Sequence, residues 1–314
     1  MQAARFTAPS AVRVDEIEPP LVGPGEVLVK VLACGLCGSD LNAWRGVPGM
    51  AFPLNPGEPG HEVWGQIASA GTEVRGFVPG QYVTGMLQRG YAQFAVGNPA
   101  DLAVLESDGG TAEMPLLGEP IACAANVVRR SGWQPGQPVA FVGFGYLAAL
   151  IAALLFAEGP AEWIAVSRRP DSRALARARG AEAAYGFDEV PEDRWDRYPV
   201  VIEAAGVQQA LDYATWLTAY SGRLVLAGYH ADGSRTVNVQ SWNWKGLDVV
   251  NAHERRPEAY RAGLADGLRI VRRHHLDLRG LASHTFRLSD IATAFQVAAE
   301  RPTGFIKGVV LPWP

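Results

Sequence analysis

Short runs of alternating apolar and polar residues, separated by glycine and proline, fill the first part of the chain. Residues 25–37, 61–74, 80–87 and 91–97 are runs of this kind. A period of two is typical of strands with one buried face, and glycine and proline favour turns between them. This part is therefore predicted to be a β-rich domain, a sandwich or partly closed barrel.

From about residue 115 the apolar segments become longer, and predicted strands and helices alternate along the chain. They predict, in order, helix 115–132, strand 139–143, helix 146–157, strand 163–167, helix 171–179, strand 200–203, helix 208–219, strand 223–228, strand 247–251 and helix 257–275. Alternating strands and helices of this length are typical of a doubly wound parallel sheet. The final segment returns to strand-like stretches at 284–290 and 304–312, which predicts that it packs on the first domain. The expected domains are 1–122 with 277–314, and 123–276.

One stretch allows two interpretations. Residues 139–157 contain no charge over 19 positions, long enough to be a candidate membrane span. Gly143 and Gly145, however, stand where a turn between a buried strand and a buried helix would lie, and the sequence has no second run of this kind. We therefore expect a strand, a turn and a helix, with no membrane contact.

Composition narrows the classes of partner. The 28 Lys and Arg against 32 Asp and Glu give a net charge of −4, with no basic run that would favour nucleic acid or anionic membranes. Three cysteines in 314 residues exclude a disulfide scaffold and suit a reducing compartment. The first residues include no apolar run of signal-peptide length, so a cytoplasmic protein is expected.

A glycine turn joins the predicted strand 139–143 to the helix that follows it. Gly143 and Gly145, followed by Tyr146, Leu147 and Ala148, form a G-x-G-x-x-A pattern. The first glycine permits a tight turn, the second lets the backbone approach a pyrophosphate, and the small third residue allows close packing. The free amides of the helix start would bind the phosphates. The alternative is a plain strand–turn–helix connection without a ligand.

The ends of later strands bear on which dinucleotide would bind. After the second strand stand Ser167, Arg168 and Arg169, with no carboxylate to bind a ribose 2′-hydroxyl. Serine and arginine can bond a 2′-phosphate, which favours NADP over NAD, unless the arginines only solvate a helix start. Tyr229 and His230 follow strand 223–228, where ligands of such sheets bind, although an ordinary loop pair is equally compatible.

Four residues of the first domain suggest a metal. They are Cys37 in GLCGSD, His61 and Glu62 in GHEVWG, and Glu119 in GEP. Thiolate, imidazole and carboxylate are the ligands of a tetrahedral catalytic zinc with one open position. Taken singly, each has an ordinary interpretation, because a lone cysteine is usually a small buried hydrophobe and a lone glutamate is usually on the surface.

These motifs occur together with GTEVRGFVPGQYV, GYAQFAV and the glycine turn. With them the chain resembles, over essentially its whole length, the zinc-dependent medium-chain dehydrogenases/reductases that include alcohol, polyol and threonine dehydrogenases. The resemblance implies a GroES-like catalytic domain, a Rossmann domain, a small-molecule alcohol or carbonyl substrate, and a homodimer or homotetramer.

The resemblance also implies roles for single residues. Cys37 and His61 match zinc ligands, Glu62 matches a ligand or exchangeable neighbour of the metal, and Glu119 matches the carboxylate ligand of the polyol branch. Ser39 matches the hydroxyl group that passes on the alcohol proton. Asp40 matches the acid that steadies His61, while Cys123, one helical turn after Glu119, is an alternative ligand.

Two departures from the family pattern qualify these expectations. Asn42 stands where many members carry a relay histidine, so proton transfer beyond Ser39 would end on water or the ribose. The four-cysteine lobe of a structural zinc is missing between Tyr82-Val83-Thr84 and Gly90, so a single catalytic zinc is expected.

The predicted function is zinc-dependent, NAD(P)-linked interconversion of an alcohol and its ketone or aldehyde, with a polyol, cyclitol or sugar-like substrate as first choice. One alternative is a zinc-free NADPH quinone or enone reductase, which would not explain Cys37, His61, Glu62 and Glu119 together. The other alternative is a non-catalytic NADP-binding sensor.

Overall fold

The computed structural model describes residues 1–47, 49–106, 110–111, 114–159, 161–278 and 280–314. Within these residues the chain divides into two compact units. The first unit consists of Met1–Ile121 and Asp277–Pro314, and the second of Ala122–Leu276. Each unit contains a hydrophobic core cluster of its own buried residues.

Among the described residues, strands and α-helices follow one another along the chain. From its start these are β1 Gln2–Ala8, β2 Ala11–Glu16, β3 Val27–Gly35, α1 Gly38–Arg45, β4 Glu62–Ala70, β5 Tyr82–Met86, β6 Phe94–Gly97, β7 Leu102–Val104 and α2 Gly118–Ser131. There follow β8 Val139–Val142, α3 Tyr146–Ala157, β9 Trp163–Val166, α4 Pro170–Ala178, β10 Ala183–Tyr185, β11 Tyr198–Glu203, α5 Gln208–Leu217, β12 Thr218–Leu226, α6 Val239–Lys245, β13 Asp248–Asn251, α7 Pro257–Arg273, β14 His284–Arg287, α8 Ile291–Glu300 and β15 Gly308–Leu311.

The first unit is built on a seven-stranded sheet. Its order is β14-β15-β3-β4-β5-β7, with β6 paired to β3, and β1 and β2 form a separate antiparallel pair. In β3 the alternate residues Val27, Val29 and Val31 are fully buried, as the period of two predicts. The predicted β-rich domain is therefore confirmed.

The closing segment forms strands β14 and β15 within the predicted stretches 284–290 and 304–312, and it contains a helix between them that the sequence patterns did not predict. Between β14 and β15 lies helix α8, whose buried residues Ile291, Ala294, Phe295 and Ala298 follow a helical period. The Phe295 ring contacts the rings of Phe6 and Tyr91, with centroids 4.9 and 5.6 Å away. These contacts bury the helix in the core of the first unit.

The second unit is a six-stranded, wholly parallel sheet of order β10-β9-β8-β11-β12-β13. The chain begins at β8, adds β9 and β10 on one side, and then returns to add β11 on the other. The predicted doubly wound sheet is confirmed, and its order reverses between β8 and β11, where such folds bind ligands. Helix α5 packs against β8, β11 and β12.

The uncharged stretch 139–157 forms β8, a glycine turn and α3, as predicted. All four residues of β8 are buried, as is most of α3. Among the described residues, no helix combines the length and the apolar character needed to cross a membrane.

Candidate metal centre and dinucleotide turn

Strand pairing brings three potential metal ligands together in the first unit. Cys37 is the N-cap of α1, two residues beyond the end of β3. His61 and Glu62 stand at the start of β4, and the antiparallel register pairs Gly35 with Glu62. One ligand atom from each of Cys37, His61 and Glu62 lies within 4.8 Å of the others. Residues far apart in sequence are thus brought together where β3 ends and β4 begins.

His61 is oriented by its Nδ1 atom. This atom lies 3.0 Å from the carbonyl oxygen of Pro59 and 3.2 Å from Oδ1 of Asp40. Burial lowers the pKa of His61. The negative charge and hydrogen bond of Asp40, together with Cys37, raise this pKa by more than burial lowers it, so the pKa of His61 lies well above its usual value of 6.5. Because Nδ1 faces these acceptors, Nε2 is the nitrogen suited to a metal.

Asp40 is itself held by two donors. Asp40 is 1% exposed, and its Oδ2 accepts hydrogen bonds from the Cys37 amide at 3.0 Å and from the Tyr91 hydroxyl. The Tyr91 phenol is fully buried, and desolvation, followed by the charge of Asp40, raises its pKa well above 10. The GYAQFAV motif includes Tyr91, but no sequence pattern predicted its contact with Asp40.

Glu62 has a partner that the sequence patterns also did not predict. The Lys307 ammonium lies 2.6 Å from Oε1 and 2.5 Å from Oε2 of Glu62, and both side chains are almost fully buried. Lys307 directly precedes β15, which pairs with β3, which in turn pairs with β4. Gly35 leaves room for the Glu62 carboxylate, because a Cβ at position 35 would stand 2.0 Å from Oε2 of Glu62.

The donor set suits zinc. Sulfur, imidazole nitrogen and carboxylate oxygen are zinc ligands. Bond lengths of about 2.0–2.3 Å at a tetrahedral ion place ligand atoms roughly 3.3–3.8 Å apart, which fits within the 4.8 Å that separates the three ligand atoms at most. His61 forms its ion pair with Asp40 through Nδ1, so this pair does not occupy Nε2. Glu62 would share its carboxylate between the metal and Lys307.

The other residues predicted for the metal site lie outside the group formed by Cys37, His61 and Glu62. Glu119 is the second residue of α2 and is half-buried. The start of α2 is held by Thr84, whose hydroxyl donates to the Leu116 carbonyl and accepts from the Gly118 amide at 2.7 Å. Ser39 lies in the first turn of α1 and is partly exposed. Cys123, the alternative ligand, belongs to the second unit.

The glycine turn has the backbone that its sequence predicts. Gly143 adopts φ +86°, and a Cβ there would stand 2.6 Å from Cβ of Ala205. Gly145 is the N-cap of α3 and offers no side chain to cap it, while Tyr146 and Leu147 begin the helix. An uncapped helix start beside a tight glycine turn is the arrangement that binds phosphate.

The candidate 2′-phosphate residues differ in availability. Arg168 is exposed, whereas Ser167 is buried and its amide donates to the Tyr185 carbonyl. Arg169, the N-cap of α4, is paired with Asp171, with Nε 3.0 Å from the carboxylate. Arg168 is therefore the side chain most open to an added phosphate.

Tyr229 and His230, which follow β12, have side chains in different environments. Tyr229 is 51% exposed and stacks on His253, with ring centroids 5.4 Å apart. His230 points inward, with its Nε2 3.0 Å from Oε2 of the buried Glu203. Only Tyr229 of this pair therefore stays open to a ligand.

The chain is similar to known dehydrogenases. A family model described as the alcohol dehydrogenase GroES-like domain matches residues 23–119. The chain is 25% identical to 2-dehydro-3-deoxy-L-galactonate 5-dehydrogenase of Pseudoalteromonas atlantica, with 97% of each chain covered.

Two solved structures share the fold. Galactitol-1-phosphate dehydrogenase from Escherichia coli has a TM-score of 0.84 at 21% identity, covering 99% of this chain and 100% of the other. A cobalt- and zinc-bound thermostable alcohol dehydrogenase from Pyrobaculum aerophilum has a TM-score of 0.83 at 22% identity, covering 99% of both chains. The expected pairing of a GroES-like domain with a Rossmann domain is thereby confirmed.

Proposed function

The chain belongs to the medium-chain dehydrogenase/reductase family of alcohol and polyol dehydrogenases, and from this premise we propose that it is a zinc-dependent, NAD(P)-linked enzyme acting on a polyol or sugar-like alcohol. The similar proteins reported above are named as dehydrogenases of a galactonate derivative, of galactitol 1-phosphate and of alcohols. The observation that carries the zinc proposal is the grouping of Cys37, His61 and Glu62 within 4.8 Å. The sugar-like substrate is supported by Glu119 and by the name of the galactonate-type relative.

The residues of the first unit would have separate roles in metal binding, ligand orientation and proton transfer. Cys37 and His61 would hold zinc, with Glu62 or Glu119 as the third ligand, and the metal would supply Lewis acidity toward the substrate oxygen. Asp40 keeps His61 in the orientation that presents Nε2. Ser39, in the first turn of α1, would accept the hydroxyl proton of the substrate, and a bound nicotinamide dinucleotide would supply the hydride acceptor. In the reverse direction Ser39 returns the proton.

The test combines metal analysis with a substrate screen. Protein purified without chelator or nickel resin should contain about one zinc per chain. It should oxidise polyols and sugar alcohols in the presence of NADP or NAD more efficiently than simple alcohols of the same chain length. Protein that binds a dinucleotide but holds no metal and turns over no alcohol would refute the proposal.

Arg168 provides a test of the proposed NADP preference. Replacing Arg168 with aspartate should weaken NADP binding roughly tenfold or more and change NAD binding little, because a carboxylate repels the 2′-phosphate. Dissociation constants from the quenching of protein fluorescence would measure both. Arg179→Asp, the same charge change at the far end of α4, is the control. Equal losses for NADP and NAD would contradict the role.

A further inference from the structure

We infer that His230 is a positioning residue of the dinucleotide site, holding three loops at the carboxyl edge of the parallel sheet in register. The inference rests on the proposed function, because it assumes that a dinucleotide binds at this edge. It concerns the second unit alone and does not depend on the metal. The observations that carry it are the bonds made by Glu203, His230 and Arg235.

Glu203 is the centre of this network. It is the last residue of β11 and is fully buried. Its Oε1 accepts hydrogen bonds from the amides of Ala205 at 2.8 Å and Gly206 at 2.7 Å, so the side chain holds the turn that follows its own strand. Its main-chain oxygen accepts bonds of 2.8 Å from the amides of residues 227 and 228. One buried residue thus joins the ends of β11 and β12.

His230 bonds to the remaining carboxylate oxygen. Its Nε2 lies 3.0 Å from Oε2 of Glu203, and its Nδ1 accepts a hydrogen bond of 2.9 Å from Nε of Arg235. A guanidinium can only donate, so in a neutral imidazole the proton must sit on Nε2 and point to Glu203. The hydrogen bonds therefore run in one direction, from Arg235 through His230 to Glu203. Arg235 also donates to the Gly206 carbonyl at 2.7 Å.

The turn that contains Ala205 and Gly206 contacts the glycine turn at Gly143. Ala205 leaves room for no side chain at Gly143, whose Cβ would lie 2.8 Å from the Ala205 amide nitrogen. Gly206 adopts φ +72°, and a Cβ there would lie 2.6 Å from the Tyr229 carbonyl oxygen. The loops after β8, β11 and β12 are thus in direct contact where the strand order reverses. Any shift of Glu203 must move the backbone that the dinucleotide would contact.

The experiment measures dissociation constants of NAD and NADP for the full-length protein and its variants. His230→Leu removes both bonds of the imidazole and should weaken binding of both dinucleotides about tenfold. His230→Gln can donate to Glu203 and accept from Arg235, so it should bind within about threefold of wild type. Glu203→Gln should match His230→Leu, and the double variant should be no weaker, because both changes break one chain.

A matched control separates positioning from general destabilisation. His274 pairs with Glu158 at 3.2 Å in the same unit, so His274→Leu also removes a histidine–glutamate contact. Its dissociation constants should equal those of wild type. Thermal unfolding of every variant shows that binding is measured on folded protein. If His230→Leu does not fold, Arg235→Met replaces it, with an expected weakening of about threefold.

The outcomes are distinct. Unchanged dissociation constants in folded His230→Leu, or in Arg235→Met where that variant is used, overturn the inference while the proposed function stands. Equal weakening by His274→Leu also overturns it. A wild-type protein that binds neither dinucleotide overturns the proposed function together with this inference.

Discussion

Replacing Cys37 with serine is expected to remove the metal and nearly all turnover. Serine offers a neutral hydroxyl in place of a thiolate, and the site then keeps His61 and one shared carboxylate. Zinc content should fall from about one per chain to near zero. Alcohol oxidation should fall roughly 10³-fold or more, since Lewis-acid stabilisation of several kcal/mol is lost. Metal analysis and steady-state kinetics on the same preparation measure both.

Cys123→Ser is the matched control for this prediction. Cys123 lies on α2 and belongs to the second unit, outside the group formed by Cys37, His61 and Glu62. Its serine variant should keep both the metal and the activity. Dinucleotide binding should survive in Cys37→Ser, because Cys37 lies in the first unit and the glycine turn lies in the second. Full metal content in Cys37→Ser would refute the assignment, and metal loss in Cys123→Ser would transfer the ligand role to Cys123.

Replacing Lys307 with methionine is expected to destabilise the first unit by about 3–5 kcal/mol, because the Glu62 carboxylate is left buried without its cation. Both side chains are buried, so water cannot take the place of the ammonium. Denaturant unfolding followed by a probe in the first unit, such as the fluorescence of Trp64 or Trp313, would measure the loss. The experiment is done on metal-free protein, because a bound cation would compensate for the missing ammonium.

Two further variants test the cause of this loss. Arg89→Met removes the exposed arginine that lies 3.7 Å from Glu58 in the same unit, and it should cost less than about 1 kcal/mol. The double variant Glu62→Leu with Lys307→Met should recover much of the stability lost by Lys307→Met alone, since apolar residues can replace a buried ion pair. A loss for Lys307→Met no larger than that for Arg89→Met would show that the pair contributes little.

Local patterns in the sequence were sufficient for most of the fold. The period of two in β3 and the uncharged strand–turn–helix at 139–157 each form the predicted element. Helix α8 lies between two strand-like stretches, and its ten residues include only four buried positions of helical spacing, Ile291, Ala294, Phe295 and Ala298, which is a weak local signal. The antiparallel pair of β1 and β2 was not among the predicted elements.

What the sequence determined by itself is the chemistry available and the local backbone that carries it. Cys37, the His61–Glu62 pair and the turn at Gly143 are short-range motifs, and their residue types already limit the site to metal and phosphate ligands. The tertiary structure alone decided which distant groups meet. Lys307 reaches Glu62 across 245 positions because β15, β3 and β4 are neighbours in one sheet.

The same reason explains the networks behind the motifs. Tyr91 lies 51 positions from Asp40, and His230 lies 27 positions from Glu203. No periodicity connects such pairs, because strand order and register are set by packing of the whole sheet rather than by neighbouring residues. The groups that hold the site in place were therefore visible only in the folded chain.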